Sequence, residues 1–132
     1  IEGVLRDADN IIVIEREGYE KFVGSSFQFH LKNIDIKLVP SFVASCFKRG
    51  VELKWFGDHE PHGYTSNHKS WQYTNLQSLP NTDQVLAGLF DIRIPLTFSL
   101  QDCEQIAAII AHCAESLLSQ AAAAFRSSSI AG

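Results

Sequence analysis

The longest regular apolar pattern in the chain runs from Leu100 to Leu117, and it limits the folds that the chain can adopt. Ser99 and Asp102 at its start have the spacing of a capping box, with Asp in place of the usual Glu. An amphipathic helix must bury its apolar side against another apolar surface, so the rest of the chain has to supply one. Its apolar residues recur at spacings of three and four: Leu100, Cys103, Ile106, Ile110, Cys113 and Leu117.

A second helical pattern covers residues 38–49. Pro40 lies in its first turn and Gly50 just past its end, which is the usual arrangement of these residues around a helix. Lys48 and Arg49 lie in its last turn, where the helix dipole favours cations. We predict that its apolar side chains pack against those of the later helix: Phe42, Val43, Cys46 and Phe47.

Four short segments have the composition or the period of β-strands. Residues 10–16 are β-branched, and apolar side chains alternate with other residues over 25–32, 51–56 and 90–96. Residues 81–89 are predicted as a short helical turn, and Pro95 ends the last strand or places it at an edge. The predicted core surface of the sheet comprises Phe27, Phe29, Leu53, Trp55, Ile92 and Ile94.

The order of these elements predicts the fold class. Strands and helices do not alternate strictly, so we expect an α+β two-layer sandwich, with a small, mostly antiparallel sheet of three to four strands and two main helices on one face. The length of 132 residues suits a single domain over 1–132, in which 119–132 forms a flexible tail.

Charge and cysteine content exclude several function classes. The net charge is −4 and no basic stripe occurs, so we expect no nucleic-acid partner. No apolar run reaches the roughly 18 residues that a membrane span needs. The odd cysteine count, 3, fits a reducing cytoplasm. The chain has no Met and begins at Ile1, which we interpret as a piece of a longer protein.

The segment GDHEPHGYTSNHKSW, residues 57–71, has almost no periodicity but contains three histidines. His59, His62 and His68 match no metal-ligand spacing, so we predict no metal site. Ser66 and Ser70 are not in a strand–turn–helix elbow, which argues against a nucleophile. The simplest interpretation is a surface loop that hydrogen-bonds to its own backbone.

A resemblance gives this loop a further interpretation. The segments FVGSSFQFHL, RGVELKWFG and EPHGYTSNHKSW, followed by LPNTDQVLAGLFDIRIPLTFSLQDCEQIAAII, resemble the carboxy-terminal small domain of DegT/StrS-type aminotransferases. These are fold-type I pyridoxal-phosphate enzymes that aminate keto-sugars, often nucleotide-linked. The resemblance implies an amino-terminal large domain as partner, a homodimer, and a loop 57–71 that closes over the active-site cleft.

The same resemblance implies which residues carry function. His62, Tyr64, Ser66 and Trp71 would bind substrate and orient the amino donor or acceptor, without catalytic proton transfer; alternatively, Tyr64 and Trp71 anchor the loop in the core. Related sequences have Arg and an aromatic residue where this chain has Asn67 and His68, which puts anion binding at Asn67 in doubt.

The cofactor lysine and the carboxylate that pairs with the pyridinium nitrogen lie in the family's large domain. We therefore expect this chain alone to be inactive and to bind no pyridoxal phosphate. None of its lysines resembles the cofactor lysine: Lys21, Lys32, Lys37, Lys48, Lys54 and Lys69.

Two other functions remain open from the sequence. The chain could be a stand-alone α+β module that binds a small molecule, or an oligomerisation module with an exposed sheet face. If the resemblance holds, apolar surface near residues 1–14 would face the large domain.

Overall fold

The structure is a computed structural model, and it describes residues 1–60, 68–73 and 75–130, with residues 120–130 described by their backbone alone. Two 3₁₀ turns, Ile36–Leu38 and His68–Ser70, accompany the regular elements. The helices and strands in chain order are α1 Glu2–Arg6, β1 Ile11–Val13, β2 Ser26–Leu31, α2 Val39–Lys48, β3 Lys54–Trp55, α3 Pro80–Ala87, β4 Leu89–Arg93 and α4 Leu100–Ile130.

Within the described residues the strands form a 4-stranded sheet in the order β1-β2-β4-β3. Every neighbouring pair is antiparallel, and β2 lies in register with β4 through Phe27↔Ile92 and Phe29↔Phe90. This arrangement confirms the predicted α+β class and the antiparallel sheet. Because β4 is flanked on both sides, Pro95 marks the end of a strand rather than a position in an edge strand.

The apolar face of the sheet packs against α2 and α4. Phe90 lies at its centre, stacked on Phe29 with ring centroids 5.4 Å apart and meeting Phe42 of α2 edge-on at 5.3 Å. From α4, Ile110 and Leu117 are buried in the same cluster. Burying such large side chains contributes about 1.5–3 kcal/mol each, so this layer contains most of the apolar stabilisation.

Both predicted helix ends are formed as expected. At the end of α2, Gly50 adopts φ 84°, and the N–H of Val51 donates to the carbonyl of Cys46 at 3.0 Å, which is the Schellman pattern. At the start of α4, Asp102 accepts from the Ser99 N–H at 2.8 Å, and its own N–H lies 3.2 Å from Ser99 Oγ.

Phe47 was predicted to pack against α4, and this prediction is wrong, since 67% of its surface is exposed. A helix turns about 100° per residue, which puts Phe47 roughly 140° from Phe42 and outside the buried stripe. Leu100 is exposed as well, because it begins α4 before the helix reaches the sheet.

The amino-terminal segment contributes to the core, which the sequence reasoning missed. Leu5 of α1 and Ile11 and Val13 of β1 are buried, and α1 contacts α4. The alternate side chains Ile12 and Ile14 are exposed, as is Val4 of α1. The apolar surface that was predicted near residues 1–14 is therefore limited to the side of this segment that faces away from the core.

Several boundaries also differ from the predictions. The strand expected over 10–16 spans Ile11–Val13, and the one expected over 51–56 spans Lys54–Trp55. The helical turn expected at 81–89 is the helix Pro80–Ala87. Helix α4 continues to Ile130, through the segment predicted as a tail, whose flexibility stays a prediction.

In the described part of the chain, no helix is both long enough and apolar enough to cross a membrane.

Candidate functional site

Three of the four predicted substrate residues, His62, Tyr64 and Ser66, lie outside the described residues. The fourth, Trp71, is not part of the core: 40% of its surface is exposed, and its ring stacks on that of Tyr73 at 5.6 Å between centroids with 17° between planes. Tyr73 is itself 79% exposed. The pair is therefore a partly exposed aromatic stack at the end of loop 57–71.

The end of this loop is attached to α3 through one carboxylate. His68 Nε2 lies 2.8 Å from Asp83 Oδ1, and Lys69 Nζ lies 2.8 Å from Asp83 Oδ2. The His68 side chain is only 11% exposed, so its contact is partly shielded from water. Each oxygen of Asp83 thus holds one of two adjacent residues, which fixes the 3₁₀ turn His68–Ser70 against the helix.

The charge on Asp83 is favoured by these two neighbours. Hydrogen bonding from Lys69, followed by that from His68, holds the pKa of the Asp83 carboxyl below its ordinary value. The carboxylate therefore stays ionised over the whole neutral range and keeps both contacts.

Helix α3 is in turn attached to the sheet at its carboxyl end. Trp55 Nε1 donates to the carbonyl of Ala87 at 2.9 Å. The two ring nitrogens of His30 lie 2.9 Å from the carbonyl oxygens of Leu31 and Val85. A neutral ring donates to one of these oxygens and an imidazolium donates to both.

Close packing at this attachment requires glycine. A Cβ built on Gly88 would lie 2.4 Å from Cε1 of His30, closer than van der Waals contact permits. The His30 ring can therefore reach the end of α3 only because residue 88 has no side chain.

These contacts link the sheet to α3, and Asp83 of α3 links that helix to the 3₁₀ turn that precedes Trp71. The arrangement can hold a flat aromatic surface at a fixed position, which suits stacking on a sugar or a planar ring. Sequence reasoning selected Trp71 but missed Asp83 and Tyr73. Asp83 belongs to the LPNTD motif, which was the signal that could have drawn attention to it.

The structure does not describe all three histidines that were considered as metal ligands. His59 is exposed, His68 is engaged with Asp83, and His62 lies outside the described part of the chain. Among the described residues, no group of three or more His, Cys, Asp and Glu has the arrangement of a metal site. That these histidines bind no metal stays a prediction.

The chain was compared with known proteins. No protein-family model matches it. No curated protein matches its sequence. Among solved structures, it is similar to the crystal structure of the aminotransferase TlmJ from Streptoalloteichus hindustanus, with a TM-score of 0.68 and 14% sequence identity. The match covers 88% of this chain and 29% of that one, so the chain spans less than a third of the aminotransferase's length. At this identity the similarity shows an aminotransferase-like fold.

The lysines of the chain lie largely at its surface. Lys54 is half-buried and lies directly opposite Asp91 in the strand ladder. The other five are exposed: Lys21, Lys32, Lys37, Lys48 and Lys69.

Proposed function

We propose that this chain is the carboxy-terminal small domain of a pyridoxal-phosphate-dependent aminotransferase of the DegT/StrS type. The observation that carries the proposal is the similarity of its fold to TlmJ over 88% of the chain. The sequence motifs agree with it in order: LPNTD begins α3, IPL follows β4, and the Ser99 cap begins α4. The proposed reaction is the transfer of an amino group to a keto-sugar, often nucleotide-linked.

In this proposal the chain contributes substrate contacts, and a large amino-terminal domain contributes the chemistry. The large domain would supply the cofactor lysine and the carboxylate partner of the pyridinium nitrogen. That division is supported by the surface positions of the lysines described above. The enzyme would act as a homodimer in the cytoplasm.

The substrate side of the site would be loop 57–71 with His62, Tyr64, Ser66 and Trp71. Its described end supports this role, because Asp83 fixes His68 and Lys69 while the Trp71 and Tyr73 rings remain exposed. A ring held in advance loses little entropy when a sugar stacks on it. The role is therefore binding and orientation, without proton transfer.

The test is a substitution of Trp71 in the protein encoded by the complete reading frame. Amino transfer from L-glutamate to a panel of nucleotide-linked keto-sugars is measured for the parent protein, Trp71→Ala and Trp71→Phe. We expect Trp71→Ala to raise KM for the accepted sugar about tenfold with little change in kcat, as for lost ground-state binding, and Trp71→Phe to restore most of it.

Tyr19→Ala serves as the matched control, because Tyr19 is an aromatic residue with 83% of its surface exposed outside the loop. It should leave both constants unchanged. Absence of amino transfer to every sugar in the panel would reject the proposed activity, whereas transfer that Trp71→Ala does not weaken would reject only the role of the loop.

A further inference from the structure

A groove opens at the end of the sheet where β3 separates from β4. The ladder between these strands consists of Lys54↔Asp91 and Trp55↔Phe90. The same register would place Glu52 opposite Arg93, but among the described residues no backbone hydrogen bond joins them. Backbone groups of an antiparallel strand alternate in direction, so the N–H and C=O of Arg93 point toward the groove rather than toward β2.

The size and lining of this groove suit a small molecule. Its volume is about 320 Å³, and Ile92, Ile106 and Phe98 supply its apolar surface. An adjoining groove of about 490 Å³ shares Phe98 and Ile106 and extends to Arg49. The first groove has a mostly apolar lining and the adjoining one a mixed lining, and volumes in this range are typical of ligand sites.

Two arginines place positive charge at the groove. Arg93 is exposed, and within the described residues its guanidinium makes no hydrogen bond or ion pair. Arg49 is held in place, because its Nη1 donates to the carbonyl of Ser45 at 3.0 Å and to Ser45 Oγ at 2.8 Å. Arg93 is therefore available to a ligand, while Arg49 provides a fixed charge nearby.

Two carboxylates, Asp102 and Glu52, also lie at the groove. Asp102 is engaged by the α4 cap, where its Oδ2 accepts from both the N–H and Oγ of Ser99. Glu52 is the other carboxylate. Because Arg93 makes no hydrogen bond or ion pair through its guanidinium within the described residues, it is the group at the groove that best matches a ligand carboxylate.

We propose that this groove binds a small carboxylic acid with an aromatic or branched apolar body. The carboxylate is held by the guanidinium and the backbone N–H of Arg93, a fork geometry that matches two oxygens. The apolar body packs on Phe98 and Ile106. Neither α3 nor the described residues of loop 57–71 line either groove, and this site does not rest on the aminotransferase proposal.

The probe for the test is 3-phenylpropionate, titrated into the 132-residue chain and followed by amide chemical shifts. We expect saturable shifts concentrated at Val51, Arg93 and Ile106. Two comparison probes separate the contributions: 3-phenylpropan-1-ol has the ring without the charge, and propionate has the charge without the ring. Each should bind at least about tenfold more weakly, the effect of losing one charge-assisted or one apolar contact.

Arg93→Gln should weaken 3-phenylpropionate binding about tenfold. The affinity of Arg93→Lys should lie between those of the parent chain and Arg93→Gln, because Lys keeps the charge but loses the fork geometry. Lys32→Gln is the matched control: it removes an exposed cation that does not line the groove, and should leave the affinity unchanged.

Equal binding of the alcohol, shifts that map elsewhere, or no shifts at millimolar probe would each overturn the proposal. The comparison of the three probes uses the unmodified chain. It therefore tests the proposed binding site even if a variant folds poorly.

Discussion

Asp83 is the residue on which the position of the loop end depends, since its two oxygens hold His68 and Lys69 at 2.8 Å each. Its role could not be predicted from the sequence. The contact between His68 and Asp83 joins positions 15 residues apart. In addition, the helix dipole already explains an Asp in the first turn of a helix. Trp71 could be selected from the sequence through the resemblance, since it closes the segment EPHGYTSNHKSW that carries it.

The pH dependence of this contact follows from the lowered pKa of Asp83. A carboxyl whose pKa is lower in the folded than in the unfolded state stabilises the fold above its ordinary value of 3.8, and this contribution is lost as the pH falls through the folded-state pKa. We expect an NMR titration of the Asp83 carboxyl carbon to have its midpoint below 3.8.

Lys69→Gln tests the cause of that shift, because Lys69 is the largest contributor. The midpoint of Asp83 should rise in this variant, while that of Asp102, whose pKa is lowered by hydrogen bonds from Ser99, should not change. A midpoint at or above the ordinary value in the parent chain would mean that Lys69 and His68 do not hold the carboxylate in solution.

At the scale of elements, the apolar periodicity of the sequence predicted which side chains are buried better than it predicted which strand residues pair. Val51 and Leu53 are buried as their alternation implies, yet β3 comprises only Lys54 and Trp55, because the chain before Lys54 separates from β4. The 5-residue helix α1 was missed, since one turn is too short to show a period and no side chain caps it. Helix α4 extends into an alanine run, where helix propensity rather than an apolar stripe favours the helix.

The packing of α4 on the sheet is tested by Ile110→Ala. Ile110 is fully buried, so its truncation removes apolar contacts and leaves a cavity, at a cost of about 2–5 kcal/mol in unfolding free energy. Phe47→Ala is the informative control, because the exposed Phe47 should cost under roughly 0.5 kcal/mol. Urea denaturation compares the two, and equal midpoints would mean that the buried face of α2 or α4 is assigned wrongly.

The turn after α2 is tested by Gly50→Ala. Gly50 has φ 84°, a conformation that costs an L-residue about 1 kcal/mol or more, although a Cβ there would meet no atom within 4 Å. The loss of stability is therefore a matter of backbone strain alone. Gly18→Ala is the control, since it also meets no atom within 4 Å but has no positive φ. Equal thermal unfolding temperatures for the two variants would contradict the left-handed turn.

At the scale of the whole molecule, the fold class, the antiparallel sheet and the pairing of two helices on one face were predictable from the order of the elements. The extent of exposed apolar surface was not. Tyr19, Val23, Leu76, Leu96 and Leu100 are each more exposed than any apolar residue of the segment 1–14 where such surface was expected. Alternation along a segment shows that one side is buried, but the tertiary arrangement decides whether the other side has a partner.

The central claim, that this fold is the small domain of a pyridoxal-phosphate aminotransferase, is tested most directly by locating the cofactor. The complete reading frame that contains these residues is expressed, reduced with borohydride and digested, and the lysine that carries the pyridoxyl label is identified by mass spectrometry. The same treatment is applied to residues 1–132 alone. The account predicts stoichiometric label on one lysine outside residues 1–132, and no site-specific label on the isolated chain. A stoichiometric label on any of its six lysines, or an unlabelled full-length protein, would contradict it.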